Sequence, residues 1–245
     1  MRGGRRLAEV IAHRGASGDA PENTLAAFDL ALEQGADALE LDVRPAADGS
    51  LVTVHDPTLA RTIGDERAIA DVTGEELQRL DHPASPTTLD AVLERYGATT
   101  RYFIDLKDPA PAWERRVLDA IERHGAAGRV ALQSFDTEAL VRLHAVAPAL
   151  SYSTVYRRAD SVGIDLDAVP AFATGIGPWY PHVDADLVAR AHARGLAVRP
   201  WAVDEAEEAE RLLALGVAAL FTNLPRVVSP IARRAGRECA AATIE

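Results

Sequence analysis

The sequence predicts an α/β fold, a (β/α)8 TIM barrel of eight parallel strands wrapped by helices, on three observations. Short apolar runs alternate with helical stretches from end to end, the pattern of a parallel sheet with helices packed outside it. The chain has 245 residues, and one such barrel takes roughly 250. Of nine candidate strands, one follows its predecessor through a connection too short for a parallel crossover, which leaves eight.

The candidate strands are EVIAHR (9–14), ALELDV (38–43), LVTVH (51–55), RYFIDLK (101–107), VALQSF (130–135), LSYST (150–154), AFATGI (171–176), AVRPWAV (197–203) and ALFTNL (219–224). After the first, Leu25, Phe28 and Leu32 recur at helical spacing before Gly35; Leu89, Val92, Leu93 and Tyr96 do the same before Gly97. Gly125, Gly195 and Gly216 follow further helical stretches, as left-handed caps do. Only RPAADGS separates ALELDV from LVTVH, and its Asp48-Gly49 pair predicts a chain reversal. LVTVH is therefore read as an antiparallel excursion that returns His55 to the barrel mouth. Residues 56–87 carry turn signals and little periodicity, and read as a small insertion over that mouth within a single domain spanning 1–245.

Apolar residues make up 48% of the chain, with no run near the ~20 residues that span a bilayer. No stable membrane anchoring is expected. Arg2, Arg5 and Arg6 precede an apolar stretch too short for a signal peptide and broken by Glu9, so the expected location is cytoplasmic. The one cysteine, Cys239, excludes an intrachain disulfide and a cysteine-rich zinc site. A net charge of −11 argues against a nucleic-acid partner. It also means that an anionic substrate would need local cations at its site.

In barrels of this kind the chemistry sits at the C-terminal ends of the strands. Strand alternation puts Glu40 and Asp42 on the inner face with Leu39, Leu41 and Val43 outside, and Asp105 and Lys107 inside with Ile104 and Leu106 outside. Three converging carboxylates repel unless protons or a cation join them, and an all-oxygen set suits one hard divalent ion, Mg²⁺ or Ca²⁺. The competing reading is a buried ionic network of these acids with Lys107, Arg14 and Arg199. His13 ends the first strand and His55 the excursion, which places two imidazoles beside the acids as a general acid–base pair. Arg14 and Lys107 supply cations suited to a phosphate. Gln133 is a candidate for hydrogen bonding in the site, with a structural amide as the alternative. His124, His144 and His192 read as surface residues, and His182 is left open.

The run HRGASGDAPENTLAAFDLALEQGADALELDVRPAADGSLVTVHDPTL resembles the glycerophosphodiester phosphodiesterase signature, and the resemblance continues through FIDLK, LQSFDTEALVRLHAVAP and GLAVRPWAVDEAEEAERLLALGVAALFTNLP. It implies hydrolysis of a small-molecule glycerophosphodiester to glycerol 3-phosphate and an alcohol, dependent on a divalent metal. By the same resemblance His13 and His55 are catalytic, Glu40, Asp42 and Asp105 bind the metal, Arg14 and Lys107 contact the phosphate, and Trp201 lies near the substrate. In the PENT segment, Asn23 and Thr24 are read as helix caps with Glu22 favoured by the helix dipole, and orienting Arg14 is the second reading of Glu22. One position departs from the pattern: most members carry Glu where this chain has Asp105, which shortens the reach by about 1.5 Å. The sphingomyelinase D branch resembles this chain in using Asp there. A lysophospholipase D or sphingomyelinase D-like activity on a lipid is therefore the enzymatic alternative, and a non-catalytic phosphodiester-binding barrel is the alternative of another class. Oligomeric state is not legible.

Overall fold

The computed structural model describes residues 8–97 and 99–241, with side chains to residue 236. The arginines at 2, 5 and 6 and the side chain of Cys239 lie outside the described residues. The strands are β1 (Glu9–Ala12), β2 (Ala38–Pro45), β3 (Leu51–Thr53), β4 (Thr58–Leu59), β5 (Asp65–Ala68), β6 (Arg101–Leu106), β7 (Val130–Ser134), β8 (Ser151–Val155), β9 (Gly175–Gly177), β10 (Ala197–Val198) and β11 (Ala219–Thr222). The helices are α1 (Leu25–Glu33), α2 (Ala60–Ile63), α3 (Gly74–Gln78), α4 (Leu89–Tyr96), α5 (Pro111–Arg123), α6 (Thr137–Val146), α7 (Ala185–Ala193), α8 (Ala206–Leu215) and α9 (Pro225–Ala241). Among the described residues no helix is long and apolar enough to cross a membrane.

Eight strands pair in parallel in the order β10-β9-β8-β7-β6-β2-β1-β11. The two ends of this row meet through backbone bonds from Ala218 N to Val198 O, Phe221 N to Pro200 O and Val203 N to Phe221 O, at 2.9, 3.0 and 2.7 Å, so the sheet curls into a barrel. As the short connection predicts, β3 runs antiparallel to β2, with Val43 opposite Thr53. The reversal turns on Gly49, whose φ of 78° is open to glycine at little cost.

Two strands differ from expectation. AFATGI becomes regular only at Gly175, because Phe172 leaves the sheet to stack on His144 at 4.0 Å. His144 is accordingly half buried on the inner side of α6 rather than on the surface. In AVRPWAV the regular strand ends at Val198, although Arg199 N and Trp201 N still donate to Ile176 O and Pro178 O at 2.9 and 3.1 Å; on the facing strand Pro178 has no N–H to donate, and Pro200 contributes only its carbonyl to the closure. Residues 56–87 also hold more structure than their pattern shows. Their helices are too short to display a period, and Leu59, Ile69, Val72 and Leu77 form a small apolar core with Val52 and Val54 from the excursion.

Strand parity sorts the side chains into two shells. Leu39, Leu41, Val43, Tyr102, Ile104 and Leu106 face outward and pack with Phe28, Leu89 and Leu93 from the helices. Inside, Ile11, Ala38, Phe103, Ala131, Ala219 and Phe221 fill the lower barrel, with Phe103 edge-on to Phe221 at 5.4 Å. This apolar plug is the floor of the polar layer above it. Phe103→Ala is expected to cost about 3–5 kcal/mol, read as a lower urea midpoint at unchanged m-value. An effect under about 1 kcal/mol would show that the plug collapses around the void.

Candidate functional site

Register stacks the polar residues directly over that plug. Asp42 pairs laterally with Asp105, and Asp105 with Gln133, so β2, β6 and β7 present one row at one height inside the barrel. Glu40 points the same way two residues earlier on β2. One oxygen from each of Glu40, Asp42 and Asp105 lies within 4.8 Å of the others, and all three residues are buried.

Burial together with the charges of Asp42 and Asp105 raises the Glu40 carboxyl well above the ordinary carboxylate range. Burial raises Asp105 as well. Burial pushes Asp42 the same way, but Lys107 and Arg14 outweigh it and hold Asp42 far below its usual value. The Lys107 ammonium, itself raised against its own burial by Asp42 and Asp105, lies 3.0 Å from Asp42 Oδ1 and 2.5 Å from Asp105 Oδ2. Arg14 Nε sits 3.1 Å from Asp42 Oδ2. The expected ionic network therefore exists for Lys107 and Arg14. It does not include Arg199, whose guanidinium lies over Phe103, 3.4 Å from Ser153 Oγ, where burial lowers its pKa to about 10.

The network leaves a deficit that a cation would fill. Asp105 Oδ1 is buried and accepts no hydrogen bond, which costs about 1–3 kcal/mol, and Asp42 Oδ1 has the Lys107 ion pair but no hydrogen bond. Three hard oxygen donors, one of them with an unpartnered buried oxygen, fit a divalent ion of the Mg²⁺ or Ca²⁺ kind, so this cluster could hold a metal. Asp105 reaches the group despite its shorter side chain.

His13 and His55 enter from elements that both flank β2, His13 after β1 and His55 after β3. His13 follows β1 and is fixed by its backbone N–H to Thr222 O at 2.8 Å. Burial, then the neighbouring Arg14 charge, lowers its imidazole to about 4, so the ring is neutral at pH 7. Its Nδ1 lies 2.7 Å from Asn223 Oδ1. His55 closes the excursion, where Arg44 Nε donates to its carbonyl at 2.9 Å. His55 Nδ1 meets Asp56 at 2.6 Å, and Asp56 is in turn held by Arg61 at 2.5 Å.

The turn after β1 aims Arg14. Arg14 adopts φ 60°, and Gly15 packs so closely on α1 that a Cβ would sit 2.7 Å from Ala27. Arg14 N donates to Glu40 Oε2 at 2.8 Å, and its guanidinium donates to Glu22 Oε1 at 3.1 Å. Glu22 thus orients Arg14, and Arg61 from the insertion clamps Glu22 at 2.6 Å. Thr24 caps α1 as read from the sequence. Asn23 does not: with φ 58°, its amide turns inward to donate to Asp42 Oδ2 at 2.8 Å and to accept from Asp42 N at 3.1 Å.

One cavity is lined by His13, Arg14, Glu40, His55, Asp105, Lys107, Gln133 and Trp201, with Phe135 and Phe221. Asp42 lies beneath Lys107, completing the set read from the sequence. Trp201 is held by Nε1 donating to Gly177 O at 3.0 Å and stands edge-on to Phe135. His182 is not among the lining residues; its ring packs on Trp179. Sequence reasoning missed Asp56, Phe135, Asp204 and Asn223. Their signal was present, since each lies at or just past the end of a candidate strand.

The chain is similar to known proteins over most of its length. The profile of the glycerophosphoryl diester phosphodiesterase family matches residues 13–227. A glycerophosphodiester phosphodiesterase of Caldanaerobacter subterraneus subsp. tengcongensis is 33% identical over 93% of this chain and 98% of its own. One of Bacillus subtilis is 31% identical over 88% of this chain and 83% of its own. Among solved structures, an Oleispira antarctica phosphodiesterase in complex with the product sn-glycerol-3-phosphate superposes with a TM-score of 0.82 at 26% identity, covering 92% of this chain and 96% of that one.

Proposed function

Since the chain belongs to the glycerophosphoryl diester phosphodiesterase family, we propose that it is a phosphoric diester hydrolase that cleaves glycerophosphodiesters to sn-glycerol 3-phosphate and an alcohol, with His13 and His55 as its acid–base pair. The observation that carries this reading is one cavity lined by two imidazoles, two carboxylates and two cations, with the third carboxylate, Asp42, paired to Lys107 beside it. We further assign the whole chain to one domain acting in the cytoplasm on a small-molecule diester. The named relatives do not favour a lipid-directed phosphodiesterase or a non-catalytic barrel.

In this mechanism neutral His13 takes the proton of the attacking hydroxyl as the new P–O bond forms; attack by water gives the monoester directly, and attack by the substrate's own glycerol hydroxyl gives a cyclic phosphate that a water then opens, the water's oxygen staying on phosphorus and the ring hydroxyl regaining its proton. His55 gives a proton to the departing alcohol oxygen as the old P–O bond breaks. Arg14 and Lys107 stabilise the charge that grows on the non-bridging oxygens. A divalent ion, Mg²⁺ or Ca²⁺, held by Glu40, Asp42 and Asp105 would supply Lewis-acid polarisation of those oxygens. Gln133 and Trp201 line the substrate's side of the cavity.

The test is release of sn-glycerol 3-phosphate from glycerophosphocholine, with lysophosphatidylcholine as competitor. Chelation is expected to abolish turnover and either ion to restore it. The same ions should raise the unfolding midpoint, since saturation to a hundredfold over Kd adds about 2.7 kcal/mol of stability. A strong preference for the lipid would overturn the substrate assignment. A midpoint indifferent to every common divalent ion would overturn the metal site.

A further inference from the structure

The rim of the cavity carries an arginine that the mechanism does not use. Strand parity places Ser153 and Val155 of β8 inward, with Val155 lining the cavity, and the ladder runs one residue further through Tyr156 N to Gly177 O at 3.0 Å. Arg157 therefore leaves the barrel on the same inward parity, above Val155. Its backbone is fixed: its carbonyl accepts from Asp160 N at 3.0 Å and from Ser161 Oγ at 2.9 Å, and the buried Ser161 Oγ accepts in turn from Trp179 N at 2.8 Å. The Arg157 guanidinium lies over the Phe135 ring, 5.5 Å from its centroid, and the Lys107 ammonium lies 5.1 Å from the same centroid. One aromatic ring thus links the cation read as binding phosphate to the cation at the rim. The other arginines near the mouth are neutralised, Arg44 by Asp108 and Arg61 by Glu22 and Asp56. Arg157 has no carboxylate partner among the described residues. Arg158 has none either, but it lies over Trp179 at 5.2 Å instead.

We propose that Arg157 selects diesters whose alcohol carries an anionic group, a carboxylate or a second phosphate, by pairing with that group at the rim. The proposal rests on the reading of this cavity as a diester hydrolase site, and it names the kind of alcohol that the site prefers. With the reacting phosphate held by Arg14 and Lys107, the alcohol extends over the half-buried Phe135 to the exposed Arg157. The guanidinium offers a planar fork of donors that matches the edge of a carboxylate or phosphate. A cationic alcohol such as choline meets the Arg157 charge as a repulsion. The π-face of Phe135, which would otherwise attract an ammonium, is already engaged by Lys107 and Arg157. Because the net charge of −11 repels anions at long range, the preference comes from this local pairing, and its exposure leaves it open to screening by salt.

The experiment compares kcat/KM for glycerophosphoserine and glycerophosphoethanolamine, which differ by one carboxylate on the alcohol. In the wild type the serine diester is expected to be favoured about 3–5-fold, the upper end for a solvent-exposed charge pair, and the ratio should shrink towards one in about 0.5 M salt. Arg157→Gln should bring the ratio to about one, and Arg157→Glu should invert it by repulsion, while Arg158→Gln keeps the wild-type ratio. A wild-type ratio of one or less, or a preference that survives in Arg157→Gln, overturns the proposal. Should one Arg157 variant fail to fold, the other decides on the same criteria together with the salt dependence of the wild type. Calorimetric binding of the two diesters covers the case of a wild type that turns over neither. Tighter binding of the serine diester, lost in Arg157→Gln, would then overturn the hydrolase reading and leave the selection standing; equal binding would overturn the selection as well.

Discussion

His13→Ala is expected to lower kcat on glycerophosphocholine by about 10²–10⁴-fold, the usual worth of a positioned general base, with KM changed little. His13 lies against the reacting layer but its ring is neutral, so its removal deletes a proton acceptor without deleting a charge that binds the diester. His55→Ala should fall by a similar factor on the same substrate. The two variants separate when the leaving alcohol is replaced by an acidic phenol, which departs without a proton. That change should rescue His55→Ala by about tenfold or more and leave His13→Ala unimproved. Equal rescue of both would sink the assigned order, and full activity in either would remove that residue from the mechanism.

Asp42→Asn should combine the largest stability loss with loss of activity. Asp42 is the hub of the buried layer: it takes the Asn23 amide at 2.8 Å, Arg14 at 3.1 Å and Lys107 at 3.0 Å. Neutralising it leaves the two cations that line the cavity with one fewer counter-charge, and breaking such a buried pair costs about 3–5 kcal/mol. The sign with pH follows from its depressed pKa. Stabilisation by Asp42 is fully present above the unfolded-state carboxyl value of about 3.9 and is lost as pH falls towards the folded value. In chelator, the gap between wild type and Asp42→Asn in urea melts should therefore be constant from pH 7 to pH 5 and narrow only below about pH 4. A gap that shrinks between pH 7 and pH 5 would mean that Asp42 is not the ionised member of the cluster. Addition of Ca²⁺ or Mg²⁺ should stabilise the wild type and leave the variant unmoved.

Much of this molecule is legible in the chain because strand alternation has a period of two. Parity alone puts Glu40, Asp42, Asp105 and Lys107 inside and the intervening Leu, Ile and Val outside, and the structure has them so. The length of RPAADGS marks the excursion that carries His55. Parity does not tell how far along the barrel axis an inward side chain extends. Arg199 and Trp201 share a face, yet Arg199 lies in the lower layer beside Phe103 and Ser153, where Gly175 leaves room for its guanidinium. Nor does it tell which loop residues turn inward: Asn23 reads as a cap and serves Asp42 instead, because its left-handed φ swings the amide under the cluster.

The amino-acid sequence by itself determined the eight-stranded class, the inward set of acids and cations, and the pair of histidines at the strand ends. These depend on local periodicity and connection length, which act within a few residues. Only the tertiary structure decided what stands behind each histidine. Asn223 reaches His13 across 210 residues, and that contact exists only because the last strands close against the first. Its geometry is the accumulated twist and stagger of the whole barrel, a property that no local stretch of chain contains.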